Sequence, residues 1–169
     1  MSDSNHKLIE KFYTAFQNKD AEGMIECYHP EIIFQDPVFG ELKGAKARNM
    51  WRMLVKNGGE DLEVTFSSIQ ATNEKGQGKW EAKYVFGKQK RKVHNRISSQ
   101  FTFKDEKIYR HLDSFNFWRW SRMALGPLGF WLGLTPFLKN SVRRQSLKTL
   151  EKFSEKYPES SPSELQDES

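Results

Sequence analysis

The apolar period of this chain changes from helical to alternating at Gly58-Gly59, and that single change limits the folds open to it. Upstream, Leu8, Ile9, Phe12, Tyr13 and Phe16 recur at helical spacing and give one apolar stripe on a first helix. Asp20 is placed to cap a short second helix carrying Met24, Ile25 and Tyr28, closed by His29-Pro30. Residues 32–35 read as a short strand and Asp36-Pro37 as a break. A third helix after Gly44 buries Met50, Trp51, Leu54 and Val55, and the glycine pair stops it. Downstream, 62–72 alternates weakly, and Trp80, Ala82, Tyr84 and Phe86 alternate with Glu81, Lys83 and Val85. Over 93–104 one face collects Val93, Asn95, Ile97, Ser99, Phe101 and Phe103, and a turn at 104–107 leads to a last strand, 108–117. A final amphipathic helix is expected over 141–157. Helices segregated from a run of meandering strands indicate an α+β fold with the helices on one side of a curved sheet.

The chain is 169 residues long, which suits one domain with an appendage at roughly 100–200 residues per domain. The expected units are a domain over 1–120, an apolar segment with a C-terminal helix over 121–157, and a disordered acidic tail over 158–169, rich in Ser, Pro and Glu. Thirteen Phe and five Trp exclude collagenous and wholly disordered classes. Cys27 is the only cysteine, so an intramolecular disulfide and a cysteine zinc cage are both excluded, which fits a reducing compartment. The amino terminus has no apolar signal core and no window is long and apolar enough for a spanning helix. The expectation is a cytoplasmic protein. Net charge is +5, but residues 155–169 carry −4, leaving +9 on the body, a balance that could attract nucleic acid, anionic lipid or acidic ligands.

The last strand carries the most chemistry. Period-two geometry puts Tyr109, His111, Asp113, Phe115 and Phe117 on one face and Ile108, Arg110, Leu112 and Ser114 on the other. If the aromatic face is concave, a histidine and a carboxylate project into apolar surroundings that suit general acid–base work. If Ile108 and Leu112 mark the buried face instead, both are wet. The second candidate is Asp36, held before Pro37 and anchored by Val38 and Phe39, either as a functional carboxylate or as an Asx-type turn brace. The histidines His6, His29, His94 and His111 lie in separate elements without ligand-like spacing, so neither a metal nor a cofactor is expected.

The run Phe12-Tyr13-Thr14-Ala15-Phe16, Asp20, Met24, Tyr28, Pro30, Phe34, Asp36-Pro37-Val38 and Gly44 resembles the ketosteroid isomerase branch of the nuclear transport factor 2-like superfamily and its SnoaL-like polyketide cyclase relatives, over roughly residues 6–118. The resemblance implies a cone: three N-terminal helices packed on a strongly curved, mainly antiparallel sheet around a deep apolar pocket. In ketosteroid isomerases the aspartate before Pro-Val is the general base, so Asp36 inherits that place by resemblance. Their oxyanion-hole tyrosine and aspartate positions fall on Phe12 and Ser99 here. The His-Trp-Asp of SnoaL-like cyclases is similar to His111-Leu112-Asp113, which implies Asp113 as acid–base residue with His111 as its partner or orienter.

Two stretches fall outside that pattern. Residues 123–138 hold 16 residues without a charge, flanked by Arg119 and Arg122 on one side and Lys139, Arg143 and Arg144 on the other. Gly126, Pro127, Gly129, Gly133 and Pro136 break it too often to span a bilayer. It could fold over the pocket mouth, form a homodimer contact, or dip into a membrane surface. The run 88–96 is a basic hairpin tip. It lacks the interleaved aromatics of a nucleic-acid site, so no nucleic-acid partner is expected and an anionic surface is the alternative to simple solvation.

These readings converge on a small-molecule enzyme of isomerase or cyclase type acting on a hydrophobic carbonyl compound. Asp36, Asp113 and His111 are its catalytic candidates, and Phe12, Phe16, Trp51, Tyr84, Ser99, Phe101, Tyr109 and Phe115 its pocket. The alternative is a non-catalytic carrier or scaffold for a hydrophobic ligand, with a peripheral membrane contact through 123–138.

Overall fold

The computed structural model describes residues 2–159; the tail expected over 158–169 therefore lies outside the described residues from 160 onward. Three N-terminal helices, α1 (Asp3–Gln17), α2 (Ala21–Glu26) and α3 (Ala45–Gly58), cover a six-stranded sheet of β1 (Tyr28–Asp36), β2 (Gly40–Lys43), β3 (Glu63–Ala71), β4 (Lys75–Phe86), β5 (Arg91–Lys104) and β6 (Lys107–Ser114). Three further helices follow: α4 (Phe117–Leu125), α5 (Pro127–Leu132) and α6 (Pro136–Lys156). This is the mixed α+β cone expected above. The strand order is β2-β1-β6-β5-β4-β3, with only the β1–β6 pair parallel.

Local chemistry sets the helix starts. The Asp20 carboxylate accepts from Gly23 N–H at 2.9 Å and begins α2. On the inner side of the sheet, α1 buries Ile9, Phe12, Tyr13 and Phe16, and α3 buries Ala47, Met50, Trp51 and Met53. Each large side chain of this kind contributes roughly 1.5–3 kcal/mol when fully buried. Strand register then decides which residues meet. Across β5 and β6, Ser99 faces Asp113 and Phe101 faces His111, while β1 sets Phe34 beside His111.

The structure departs from the sequence reading at four places. Tyr28, read as part of the second helix, opens β1 together with His29 and Pro30, because α2 ends at Glu26 with Cys27 as its C-cap. The β5–β6 register slips between Thr102–Arg110 and Phe103–Ile108, so Tyr109 is the extra residue of a bulge. Alternation breaks there: Ile108 is buried, and Tyr109 is half-buried against His29, with ring centroids 5.5 Å apart, and beneath the Lys104 ammonium. Phe117 belongs to α4 rather than to the last strand, because Asn116 accepts from Arg119 N–H at 2.9 Å and caps a helix there. Finally, the prolines of the apolar segment do not interrupt helices; Pro127 and Pro136 start them, where a missing N–H costs nothing. The last helix therefore begins at Pro136, not near 141.

Helices α4 and α5 fold back on each other through Gly126, which has φ +63°. They pack closely because Gly129 has no side chain. A Cβ there would lie 1.8 Å from the Ser121 carbonyl oxygen, and Ser121 Oγ donates to the Gly129 carbonyl at 3.0 Å. No helix among the described residues is long and apolar enough to cross a membrane. Gly129→Ala must push α5 off α4, and should lower the urea midpoint by the equivalent of about 1–3 kcal/mol; a variant as stable as the parent would show that this contact is not needed.

Candidate active site

A cavity of about 520 Å³ lies between the sheet and the helices. Its walls include Phe16 from α1, Trp51 from α3, Phe34 and Asp36 from β1, Trp80 and Tyr84 from β4, Asp113 from β6, and Phe115 just beyond it. Helix α4 contributes Trp120, and α6 contributes Gln145, Ser146 and Thr149. Mostly apolar walls, rich in aromatic rings, with a few convergent polar groups are the usual composition of a small-molecule site.

Behind the wall runs a buried hydrogen-bond chain. Trp51 Nε1–H donates to the Tyr28 hydroxyl at 2.7 Å, and that hydroxyl lies 2.7 Å from His111 Nδ1. His111 Nε2 lies 2.8 Å from Asp113 Oδ1. An indole can only donate, so the Tyr28 oxygen accepts from Trp51 and has its own proton to give. Giving it to Nδ1 leaves the imidazole proton on Nε2, directed at the carboxylate. This tautomer leaves no donor in the chain unused. Burial raises the Tyr28 pKa well above the ordinary tyrosine value, so its hydroxyl stays protonated.

Asp113 is buried, and its burial is compensated at one oxygen. Oδ1 accepts from the Ser99 hydroxyl and from His111, with Trp80 Nε1–H a further 3.5 Å away. Oδ2 makes no hydrogen bond among the described residues, on a side chain that lines the cavity. Asp36 is built differently. Its Oδ1 accepts from Val38 N–H at 3.0 Å and Phe39 N–H at 2.6 Å, the turn brace that the sequence left open, yet the residue also lines the cavity. Burial pushes its pKa up to about 7, the two backbone donors oppose that rise, and nearby Asp113 adds to it. Tyr84 is raised to about 12, mainly by burial, and its hydroxyl accepts from Trp120 Nε1–H at 2.8 Å. Its proton is thereby available to a ligand.

The cavity thus gathers Asp36, Asp113, Phe16, Trp51, Tyr84 and Phe115. It does not gather the rest of the residues expected from sequence. Phe12 and Phe101 are buried in the core against His111, with ring centroids at 5.3 and 4.5 Å, and Ser99 sits behind Asp113. Tyr109 is turned away by the bulge. His111 is not a wall residue either; its side chain has no exposed surface and both ring nitrogens are engaged, so it cannot donate to a ligand and instead orients Asp113. Sequence reasoning missed Tyr28 and Trp80. Trp80 shares the alternating face of Tyr84 and was findable by that pattern. Tyr28 acts across 83 residues of chain, for which periodicity carries no signal. Among the described residues no group of three His, Cys, Asp or Glu side chains is arranged to hold a metal ion.

The raised pKa of Asp36 has a sign. The folded state holds its proton between about pH 4 and pH 7 where the unfolded chain has released it, so this contribution to stability is complete below pH 4 and lost as pH rises through about 7. Asp36→Asn keeps the Oδ1 acceptor for Val38 and Phe39 and removes the titration. Urea unfolding at pH 5 and pH 8 should show a smaller loss of stability on going alkaline in the variant than in the parent; equal losses would mean that Asp36 titrates alike in both states.

Solved structures share this architecture. TsrD from Streptomyces laurentii is 19% identical with a TM-score of 0.61, over 73% of this chain and 96% of that one. An LEH-like epoxide hydrolase of M. tuberculosis is 19% identical with a TM-score of 0.58, over 79% and 96%. TerC, co-crystallised with polyporic acid, is 16% identical with a TM-score of 0.57, over 67% and 92%. At such identities they are similar in fold alone. No curated protein matches the sequence. The SnoaL-like domain family, however, matches residues 9–111, from the first buried apolar residue of α1 to the histidine of β6, and the chain belongs to that family.

Proposed function

We propose that this protein is a small-molecule enzyme that binds a hydrophobic carbonyl compound in the apolar cavity and moves a proton on it, in a reaction of isomerase or cyclase type. The observation that carries this reading is Asp113. One carboxylate oxygen is held by Ser99 and His111, the other is without a protein partner among the described residues, and the side chain lines the cavity. A base held in one geometry by neutral donors, in a cavity with aromatic walls, is suited to general base catalysis.

In this reading Asp113 Oδ2 takes a proton from the carbon beside the carbonyl. The C–H electron pair becomes the carbon–carbon double bond of an enol, and the carbonyl π pair moves to oxygen. Asp36, titrating near pH 7, supplies a proton to that oxygen, or Tyr84 supplies a hydrogen bond. Two carboxyl groups whose surroundings differ divide into base and acid in this way. In a β,γ-unsaturated ketone, return of the proton from Asp113 to the γ carbon shifts the double bond, and the carbonyl re-forms as the O–H proton goes back to Asp36; this completes an isomerisation. Alternatively the enol carbon attacks a second carbonyl, whose π pair moves to its own oxygen and takes the proton held by Asp113, while the first carbonyl re-forms and its O–H proton returns to Asp36; this completes a cyclisation. His111 is a positioning residue. The binding of polyporic acid by a protein of the same fold supports an organic ligand of small-molecule size.

The test works before the substrate is identified. A panel of hydrophobic ketones is incubated with the protein in deuterium oxide, and carbon-bound deuterium is read by mass spectrometry. The parent should accelerate exchange on at least one compound, and Asp113→Asn should lower that acceleration by about 10²–10⁴-fold while still binding the compound. Binding without accelerated exchange would instead favour a carrier, and exchange unchanged in Asp113→Asn would remove Asp113 as the base.

A further inference from the structure

Eight large hydrophobic side chains are exposed among the described residues, and five of them, Leu128, Phe130, Trp131, Leu134 and Phe137, fall within ten consecutive positions. Trp131, Leu134 and Phe137 are each at least three-quarters exposed. None of the five lines the internal cavity. Gly129 turns its side of α5 to α4, which leaves Phe130 and Trp131 outside the core. A cluster of this size on one short helix, the turn after it and the first turn of the next is more than the scattered apolar exposure of an ordinary surface.

The cluster is framed by cations. The β4–β5 hairpin lies against α4, where Arg91 Nε–H donates to the Met123 carbonyl at 2.8 Å and the Arg91 guanidinium covers Gly126. Between hairpin and helix is an open cleft lined by Arg91, Lys92, Arg119 and Arg122, with Gln89, Asn116 and Trp118 as neutral polar or aromatic neighbours. Arg122 lies over the rings of Trp118 and Phe130, at 4.5 and 5.5 Å, so the cleft and the apolar cluster are continuous. The sequence contains no Asp or Glu over 82–104 or over 114–150, against seven and six Lys or Arg respectively. Arg91, Lys92, Arg119, Arg122 and Lys139 form no ion pair among the described residues.

We propose that this ledge seats the protein on an anionic lipid bilayer, with Leu128, Trp131, Leu134 and Phe137 entering the headgroup–acyl boundary and the Arg91, Lys92, Arg119 and Arg122 cleft receiving lipid phosphates. Leucines have no use for a nucleic acid but partition into hydrocarbon, and tryptophan prefers the interface. A second copy would bring one basic frame against another, which charge opposes. The cavity wall includes Phe86 and Gly87 at the turn of the hairpin, Trp120 on α4, and Gln145 on α6. The hairpin, α4 and α6 therefore border both the ledge and the cavity, and a lipophilic substrate could pass from bilayer to cavity. That delivery rests on the function proposed above; the seat itself does not.

Co-sedimentation with vesicles of phosphatidylcholine alone, and with an equal part of phosphatidylglycerol, tests the seat. The full chain should pellet with the anionic vesicles, remain in solution with the neutral ones, and be released by added salt. Trp131→Ser with Phe137→Ser should weaken binding by roughly ten-fold or more, and Arg119→Gln with Arg122→Gln should reduce the preference for anionic lipid. Both exposed apolar positions tolerate serine without core loss, which circular dichroism checks. Absence of binding to either vesicle, or binding indifferent to Trp131→Ser with Phe137→Ser, overturns the proposal. So does a concentration-dependent dimer in sedimentation velocity that the same substitutions abolish, since the ledge would then be a contact between copies. Deuterium exchange on dissolved ketones should be unchanged by these ledge substitutions, so failure of the seat and failure of the proposed chemistry read out separately.

Discussion

The site depends on one buried line of hydrogen bonds from Trp51 through Tyr28 and His111 to Asp113. A carboxylate this deep is expensive unless donors surround it, and a donor that can rotate is a poor constraint. His111 solves both problems because Tyr28 occupies its far nitrogen and Phe12, Phe34, Trp51 and Phe101 pack around the ring. The imidazole has one orientation left, and the Asp113 oxygen that it binds is held with it. The aromatic core of this fold is thus also the frame of its only buried carboxylate–imidazole pair among the described residues.

The two carboxyl groups of the cavity illustrate how environment, rather than residue type, assigns roles. Asp113 receives side-chain donors at Oδ1. Asp36 receives two backbone N–H groups at one oxygen, but burial outweighs them and its pKa rises to about 7. Being a turn brace and being a cavity wall are compatible, because each uses a different part of the same carboxyl group. The C-terminal helices close the arrangement: α4 supplies Trp120 to the Tyr84 hydroxyl, and α6 lies across the cavity with Leu150 in the main core. Glu159, just after α6, pairs with Arg48 and Arg52 on α3 and ties that end down.

Much of this was legible in the sequence. Alternation over β5 and β6 is a backbone property, so the shared face of Asn95, Ile97, Ser99 and Phe101, and that of His111 and Asp113, followed from period-two geometry, whereas which face of β6 looks inward stayed open until the packing of the sheet was seen. Tyr109 did not follow, because a bulge inserts one residue without any local mark in the sequence. The start of α6 was misplaced because Pro136 reads as a breaker in isolation, whereas behind Thr135, whose hydroxyl accepts from Leu138 N–H at 3.3 Å, it is an ordinary first helical residue. The Tyr28–His111 bond and the raised pKa of Asp36 were beyond sequence reasoning for a common reason. Both come from burial and from partners remote in the chain.

The protonation of His111, read from the two imidazole nitrogens by long-range ¹⁵N–¹H correlation near neutral pH, is the most direct test of this arrangement. The hydrogen-bond chain predicts a protonated Nε2 and an unprotonated Nδ1, with Tyr28 donating to the latter. A proton on Nδ1, alone or together with one on Nε2, would mean that Tyr28 is not the donor, and the positioning of Asp113 described above would be wrong.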